Sequence, residues 1–248
     1  MGGAAAVLSR RRALALAGLL AALVLYGAGA GVLPSSSVPW DVAFFALVLV
    51  PATFTVVWLV LPAARARGVL LVGLALVVLS VLLHLAELDA LFNVTKLLAL
   101  AALGFAFLVF FDPPLGLLAL IAAIVPWVDA YSVWRGPTNV VVNEHPGVFD
   151  RISIAFREPG GNTSARLGPP DVLFFALFLA AAQHFRLRPG WTFLAMVAGL
   201  GLTLVLAAVF DVSGLPALPA VSLGFLVPNA DLLWRRWRDW RVSEARAG

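Results

Sequence analysis

Val125-Pro-Trp-Val-Asp129-Ala-Tyr-Ser-Val-Trp134 closes one apolar run, and Leu167-Gly-Pro-Pro-Asp171 opens the next. Each places a carboxylate inside, or at the mouth of, a segment otherwise suited to lipid. An ionised Asp in hydrocarbon costs at least about 2.5–3.5 kcal/mol on insertion scales, so such a residue is expected to face a bundle interior and to work there. One run rises and the next descends, so the two acids can meet at similar depth. With a helix ending near Trp134, Asp129 lies roughly 7 Å inside it at about 1.5 Å per residue. With the next helix starting near Gly168, Asp171 lies about one turn inside the same face.

The surrounding chain has 248 residues, of which 62% are hydrophobic and 12% charged, and its mean hydropathy is +1.00. A soluble domain carries about a quarter charged residues. The fold class is therefore an all-α polytopic membrane protein in a single membrane domain. A spanning helix needs about 20 apolar residues. Eight such segments are expected, at 13–33, 41–61, 69–86, 94–111, 115–134, 168–185, 191–210 and 215–234. They divide into N-terminal helices (13–111) and a set that carries the two acids and the last span (115–234). The apolar run after Arg10-Arg11-Arg12 is longer than the 7–15 residues of a cleavable signal, and seven spans follow it, so it reads as a retained first helix.

The chain has no cysteine, which excludes disulfides, thiol chemistry and Cys-ligated metal. His84, His145 and His184 are scattered without a two-His spacing, and no metal or other cofactor is expected. The net charge of +4 comes from arginines at span ends. In such a chain that charge sets orientation; the bilayer is the expected partner and nucleic acid is not. Lys96 is the single lysine among the 17 basic residues. That Arg bias, with abundant Ala, points to a GC-rich prokaryotic genome and hence to a prokaryotic plasma membrane.

Twelve basic residues fall at the N-terminus, the 62–68 and 186–190 turns and the C-terminal tail, against five (Lys96, Arg135, Arg151, Arg157 and Arg166) on the alternate side. Both termini are therefore expected in the cytoplasm and the 135–167 loop outside. This loop is the one sizeable extramembrane piece. Its β-prone runs 139–142 and 151–156, separated by Glu144-His145-Pro146-Gly147, suggest a short β-hairpin. The second run alternates polar and apolar residues, and offers an edge to which an extended peptide could add a strand.

Two carboxylates sharing a proton titrate as a unit and divide acid and base roles. One can take a proton from water while the other protonates a peptide carbonyl oxygen. A proton relay or a cation site in a transporter also uses buried carboxylates. Other polar residues have plainer readings. His84, Glu87, Asp89 and Lys96 form an interfacial cluster around a turn, and Asp231 pairs with the tail arginines. Gly199 and Gly201 permit close helix packing, and Asn93-Val-Thr95 has the form of a glycosylation sequon.

Asp129-Ala-Tyr-Ser-Val-Trp134 resembles the sequence following the first catalytic Asp of the presenilin and signal peptide peptidase family, the GxGD-type intramembrane aspartyl proteases, archaeal and bacterial homologues above all. Leu167-Gly-Pro-Pro-Asp171 occupies the place of their GxGD motif, and Leu215-Pro-Ala-Leu-Pro219 matches their PAL motif. The resemblance covers roughly 115–234. It implies an aspartic endopeptidase in which Asp129 and Asp171 activate water against a peptide bond within the membrane. It also implies that Gly168, Pro216, Ala217 and Leu218 shape the substrate site, and that the substrates are transmembrane segments or signal peptides. Pro216 and Pro219 are expected to interrupt the last span and line a wet cavity.

Three departures stand out. The family's Tyr before the first acid is Val128 here, and Pro169-Pro170 leave only Gly168 of the GxGD glycines. The family usually has nine spans against the eight expected here, which implies one N-terminal helix fewer than in the family. Prolines at a helix start favour a rigid approach and place Asp171 in the first turn. A protease is thus expected, with two rivals: a catalytically silent relative that binds transmembrane helices, and a proton-coupled transporter. The outward loop matches the signal peptide peptidase orientation, which favours type II membrane segments or spent signal peptides as substrates.

Overall fold

The computed structural model describes residues 8–136, 146–161, 164–212 and 215–247. Helix α1 (Arg10–Gly29) is lengthened by a 3-10 turn, Ala30–Val32. Helices α2 (Val38–Phe44) and α3 (Val50–Val60) are joined by a π-helical segment, Phe45–Leu49. Pro51, in the first turn of α3, has no N–H to continue the α-helical ladder, and the wider π turn accommodates its ring. Then follow α4 (Val69–Leu85), α5 (Asp89–Phe111), α6 (Leu115–Arg135) and the short α7 (Pro146–Ile152). Strands β1 (Ile154–Arg157) and β2 (Ser164–Leu167) precede α8 (Pro169–His184), α9 (Pro189–Val209) and α10 (Leu218–Ala247).

All eight expected segments are helical, and the chain is an all-α polytopic membrane protein. Among the described residues, five stretches are long and apolar enough to cross a membrane: Arg10–Val32, Val38–Ala63, Asp89–Phe111, Leu115–Arg135 and Pro189–Val209. Of the other three, α4 has 17 residues and α8 has 16. Helix α10 runs for 30 residues, well past the expected end at 234, because the arginine-rich tail continues the same helix.

Helix α8 is the axis of the bundle. It packs against α5, α9, α10 and α3, and Val172 and every residue from Phe175 to Ala182 are buried. Phe175 stacks on Phe54 with ring centroids 4.1 Å apart, and Phe178 on Phe225 at 5.0 Å. Gly104 lets α5 approach closely: a Cβ there would meet the Leu173 carbonyl oxygen at 2.5 Å. Gly199 and Gly201 face Ala220 and Ala46 at contact distance, in keeping with the close-packing reading. Without a hydrophobic drive between helices in lipid, such approaches and dispersion hold the bundle together.

The hairpin differs from its expected composition. Strand β1 pairs antiparallel with β2, Ile154 opposite Leu167 and Arg157 opposite Ser164. Of the expected run 151–156, Arg151 and Ile152 instead close α7, whose start at Pro146 takes up the end of the expected turn. Alternation alone could not separate a helix end from a strand start. The 139–142 run lies outside the described residues, as do Glu144 and His145. The hairpin docks on the end of α1, where the Gly160 N–H donates to the Ala30 carbonyl at 2.9 Å.

Two plainer readings are corrected. Lys96 is not solvent-facing as a simple interfacial cation would be: it is 8% exposed, with its ammonium 4.1 Å from the centre of the Phe92 ring. Asp231 pairs with Arg188, by two 2.8 Å hydrogen bonds, rather than with the tail arginines. The turn before α9 folds back over α10 at that level, bringing Arg188 closer than its own helix neighbours.

Candidate functional site

Asp171 owes its position to the chain immediately before it. Pro169 and Pro170 occupy the first turn of α8, where their missing N–H groups cost nothing and their fixed φ suits the helix. Gly168 is the N-cap in extended conformation. The third helical residue is then Asp171, and its carboxylate turns back to accept the Gly168 N–H at 3.0 Å. Asp171 is 9% exposed. The double proline therefore works as a helix start that aims the acid inward and ties one of its oxygens.

Asp129 comes from a different environment. It lies in the last two turns of α6, half-buried, among exposed Trp127, Val128, Tyr131 and Trp134. Helix α6 touches α8 only lightly and packs mainly on α10, which lies against both. The link is the start of α10. The Leu218 N–H, at the open N-terminus of that helix, donates to Asp129 Oδ2 at 3.0 Å, and the neighbouring Ala217 N–H also acts on the carboxylate. Helix N-termini carry unsatisfied N–H groups and the positive end of the dipole, so they suit a carboxylate.

Both acids are thus held by helix-starting N–H groups, and their carboxylates lie within electrostatic reach of each other. The structure brings Asp129, Asp171, Gly168, Ala217 and Leu218 to one locality at the hairpin end of the bundle. Pro216 is half-buried in the non-helical approach to α10. The sequence led to the expectation that Pro216 and Pro219 interrupt the last span; instead they lead into it and start it, and the proline inside α10 is Pro228. The motif therefore supplies free N–H donors rather than freed carbonyls.

Sequence reasoning overlooked the residues that hold the hairpin beside this site. The Asn93 carboxamide bonds both backbone groups of Ala155, accepting from its N–H at 3.2 Å and donating to its carbonyl at 2.6 Å. Lys96 donates to the carbonyls of Arg151 and Ser153, and the Tyr26 hydroxyl to that of Arg157 at 2.6 Å. The available signal was Lys96 itself, a lone cation within an apolar helix, which by default marks a working position.

A stretch of 103 residues, 40% of the chain, is 34% identical to Presenilin-A of the eukaryote Dictyostelium discoideum. The chain is presenilin-like over that stretch. The match spans 16% of the length of that relative. No protein-family profile matches the chain.

Proposed function

We propose that this protein is an intramembrane aspartyl protease of the presenilin and signal peptide peptidase type, with Asp129 and Asp171 as its acid and base. The reading is supported by two carboxylates on separate helices that lie within electrostatic reach of each other, one of them accepting the Leu218 N–H of the Pro216-Ala217-Leu218 motif. One carboxylate takes a proton from water as the water oxygen attacks the amide carbon, and the other gives its proton to the carbonyl oxygen. The resulting diol collapses as the amide nitrogen is protonated and leaves. General acid–base catalysis of this kind contributes about 10²–10⁴-fold.

The substrates on this reading are transmembrane segments or signal peptides. Strand β2 leads through Gly168 into Asp171, so a segment unwound alongside it arrives at the acids in extended form, which a peptide bond needs before it can be attacked. The basic-residue bias supports cytoplasmic termini, an outward hairpin and type II segments, and the composition supports a prokaryotic plasma membrane. The Pro169-Pro170 departure favours one rival, a silent relative that captures helices without cutting them.

The test uses the purified full chain in proteoliposomes with a reporter transmembrane peptide. Asp129→Asn and Asp171→Asn keep an oxygen able to accept the Leu218 and Gly168 N–H groups, so both variants should fold. Each should lose cleavage, and the unaltered protein should show a bell-shaped dependence of rate on pH. Peptide capture without cleavage by the unaltered chain selects the silent relative. Solute uptake driven by protons, without proteolysis, selects the transporter.

A further inference from the structure

Strand β1 has two edges, and one pairs with β2. Along the stretch leading into and through the strand, the carbonyls of Arg151, Ser153, Ala155 and Arg157 all accept hydrogen bonds from side chains of other helices. Arg151 lies in the last turn of α7 and Ser153 precedes the strand; within β1, Ala155 and Arg157 are alternate residues, whose carbonyls point to one side in an extended chain. The donors are Lys96 for the first two, Asn93 for the third and Tyr26 for the fourth. Asn93 also accepts the Ala155 N–H, so its carboxamide stands in for a residue of a neighbouring strand. Asn93 and Lys96 are three residues apart and share a face of α5. The buried ammonium is costly at this depth unless its donors are used, and two carbonyls and the Phe92 ring use them.

An edge filled in this way is closed to strand addition. We propose that Tyr26, Asn93 and Lys96 are positioning residues that close the β1 edge of the hairpin and hold its register, so that an extended substrate segment is aligned on the β2 side and cut at one position. The inference rests on the protease reading. Strand β2 ends at Leu167, directly before the Gly168–Asp171 helix start. Whatever holds the hairpin in register therefore sets which substrate bond lies at the acids. A slip that keeps the same side chains facing inward moves the chain by about two residues.

The chain has no cysteine, so single cysteines can report which edge a substrate uses. Ala155→Cys marks β1 and Ala165→Cys marks β2, each in the full chain with Asp171→Asn, against a transmembrane peptide carrying one cysteine near its cut site. A disulfide needs Cα atoms within about 7 Å, which separates a neighbouring strand from one two strands away. The peptide should be trapped by the β2 cysteine and not by the β1 cysteine. Adding Asn93→Leu and Lys96→Met should open trapping at β1. With both acids intact, the same pair should spread the main cut to bonds about two residues away. Tyr26→Phe, which removes one hydroxyl, should show a smaller spread and decides the matter should the double variant not fold. Equal trapping at both strands in the unaltered hairpin, or an unmoved cut position in the variants, overturns the clamp. Trapping at neither strand together with no cleavage overturns the protease reading, and the clamp's role with it.

Discussion

Helix α8 has 16 residues and buries ten of them, Asp171 included, whereas the 21 residues of α6 bury two, Leu118 and Ala122. One acid is thus embedded in the central helix of the bundle, and the other is carried on a helix with aromatic and aliphatic side chains turned outward to lipid. Asp171 is fixed by the core and by its own N-cap. Asp129 is fixed by a neighbour, through the Leu218 N–H at the start of α10. Helix α10, which also packs on α8 through Phe225 and Phe178, thus ties the rim acid to the core.

The largest expected effect falls on both helices alike: Asp129→Asn and Asp171→Asn should each reduce cleavage by about 10²–10⁴-fold in a single-turnover assay. Retained activity in either variant breaks the pairing itself. Next, Gly104→Val should distinguish the two environments. Its new side chain meets the Leu173 backbone at the α5–α8 contact, and overpacking of this kind costs about 1–3 kcal/mol or more. A lowered melting temperature in detergent, with activity falling in step, is the expected result.

The comparison sharpens further with two aromatic truncations. Phe175→Ala empties a fully buried site on α8 and should cost about 3–5 kcal/mol. Trp127→Ala, on the outer face of α6 at 78% exposure, should stay within about 0.5 kcal/mol. Similar melting shifts for the two would mean that α6 is packed as firmly as α8. The smallest effect is expected at Arg188→Ala. Its bidentate pair with Asp231 is 43% exposed on each side, and an exposed, solvent-screened pair contributes little to stability.

The eight helical segments were legible because each is a long apolar run closed by Pro, Gly or charge, and lipid imposes helix on such runs by requiring every backbone group to be paired within the segment. The Asp171 helix start was equally legible, since Pro169 and Pro170 carry their own φ restriction and can do little else. The hairpin was only half legible. A strand was expected near 151–156, but its partner Ser164–Leu167 has no marked β pattern. What makes it a strand is pairing with β1, which is a tertiary event. The last-span motif was placed correctly along the chain but misread in role, because whether a proline kinks a helix or begins one depends on where its neighbours let the helix start.

Lys96 and Asn93 show the same limit from the other direction. Their chemistry, a cation and a carboxamide, was plain in the sequence; their partners were backbone carbonyls some 55 to 62 residues away, and a backbone carbonyl leaves no trace in sequence. Sequence by itself determined the membrane class, the helical segments and the manner in which Asp171 enters its helix, because these follow from local composition and backbone restriction. Tertiary structure alone decided that α8 lies at the centre and α6 at the rim, that the α10 start meets Asp129, and that side chains fill one edge of the hairpin. Those outcomes depend on which surfaces meet, and complementarity between distant segments is not written in either one alone.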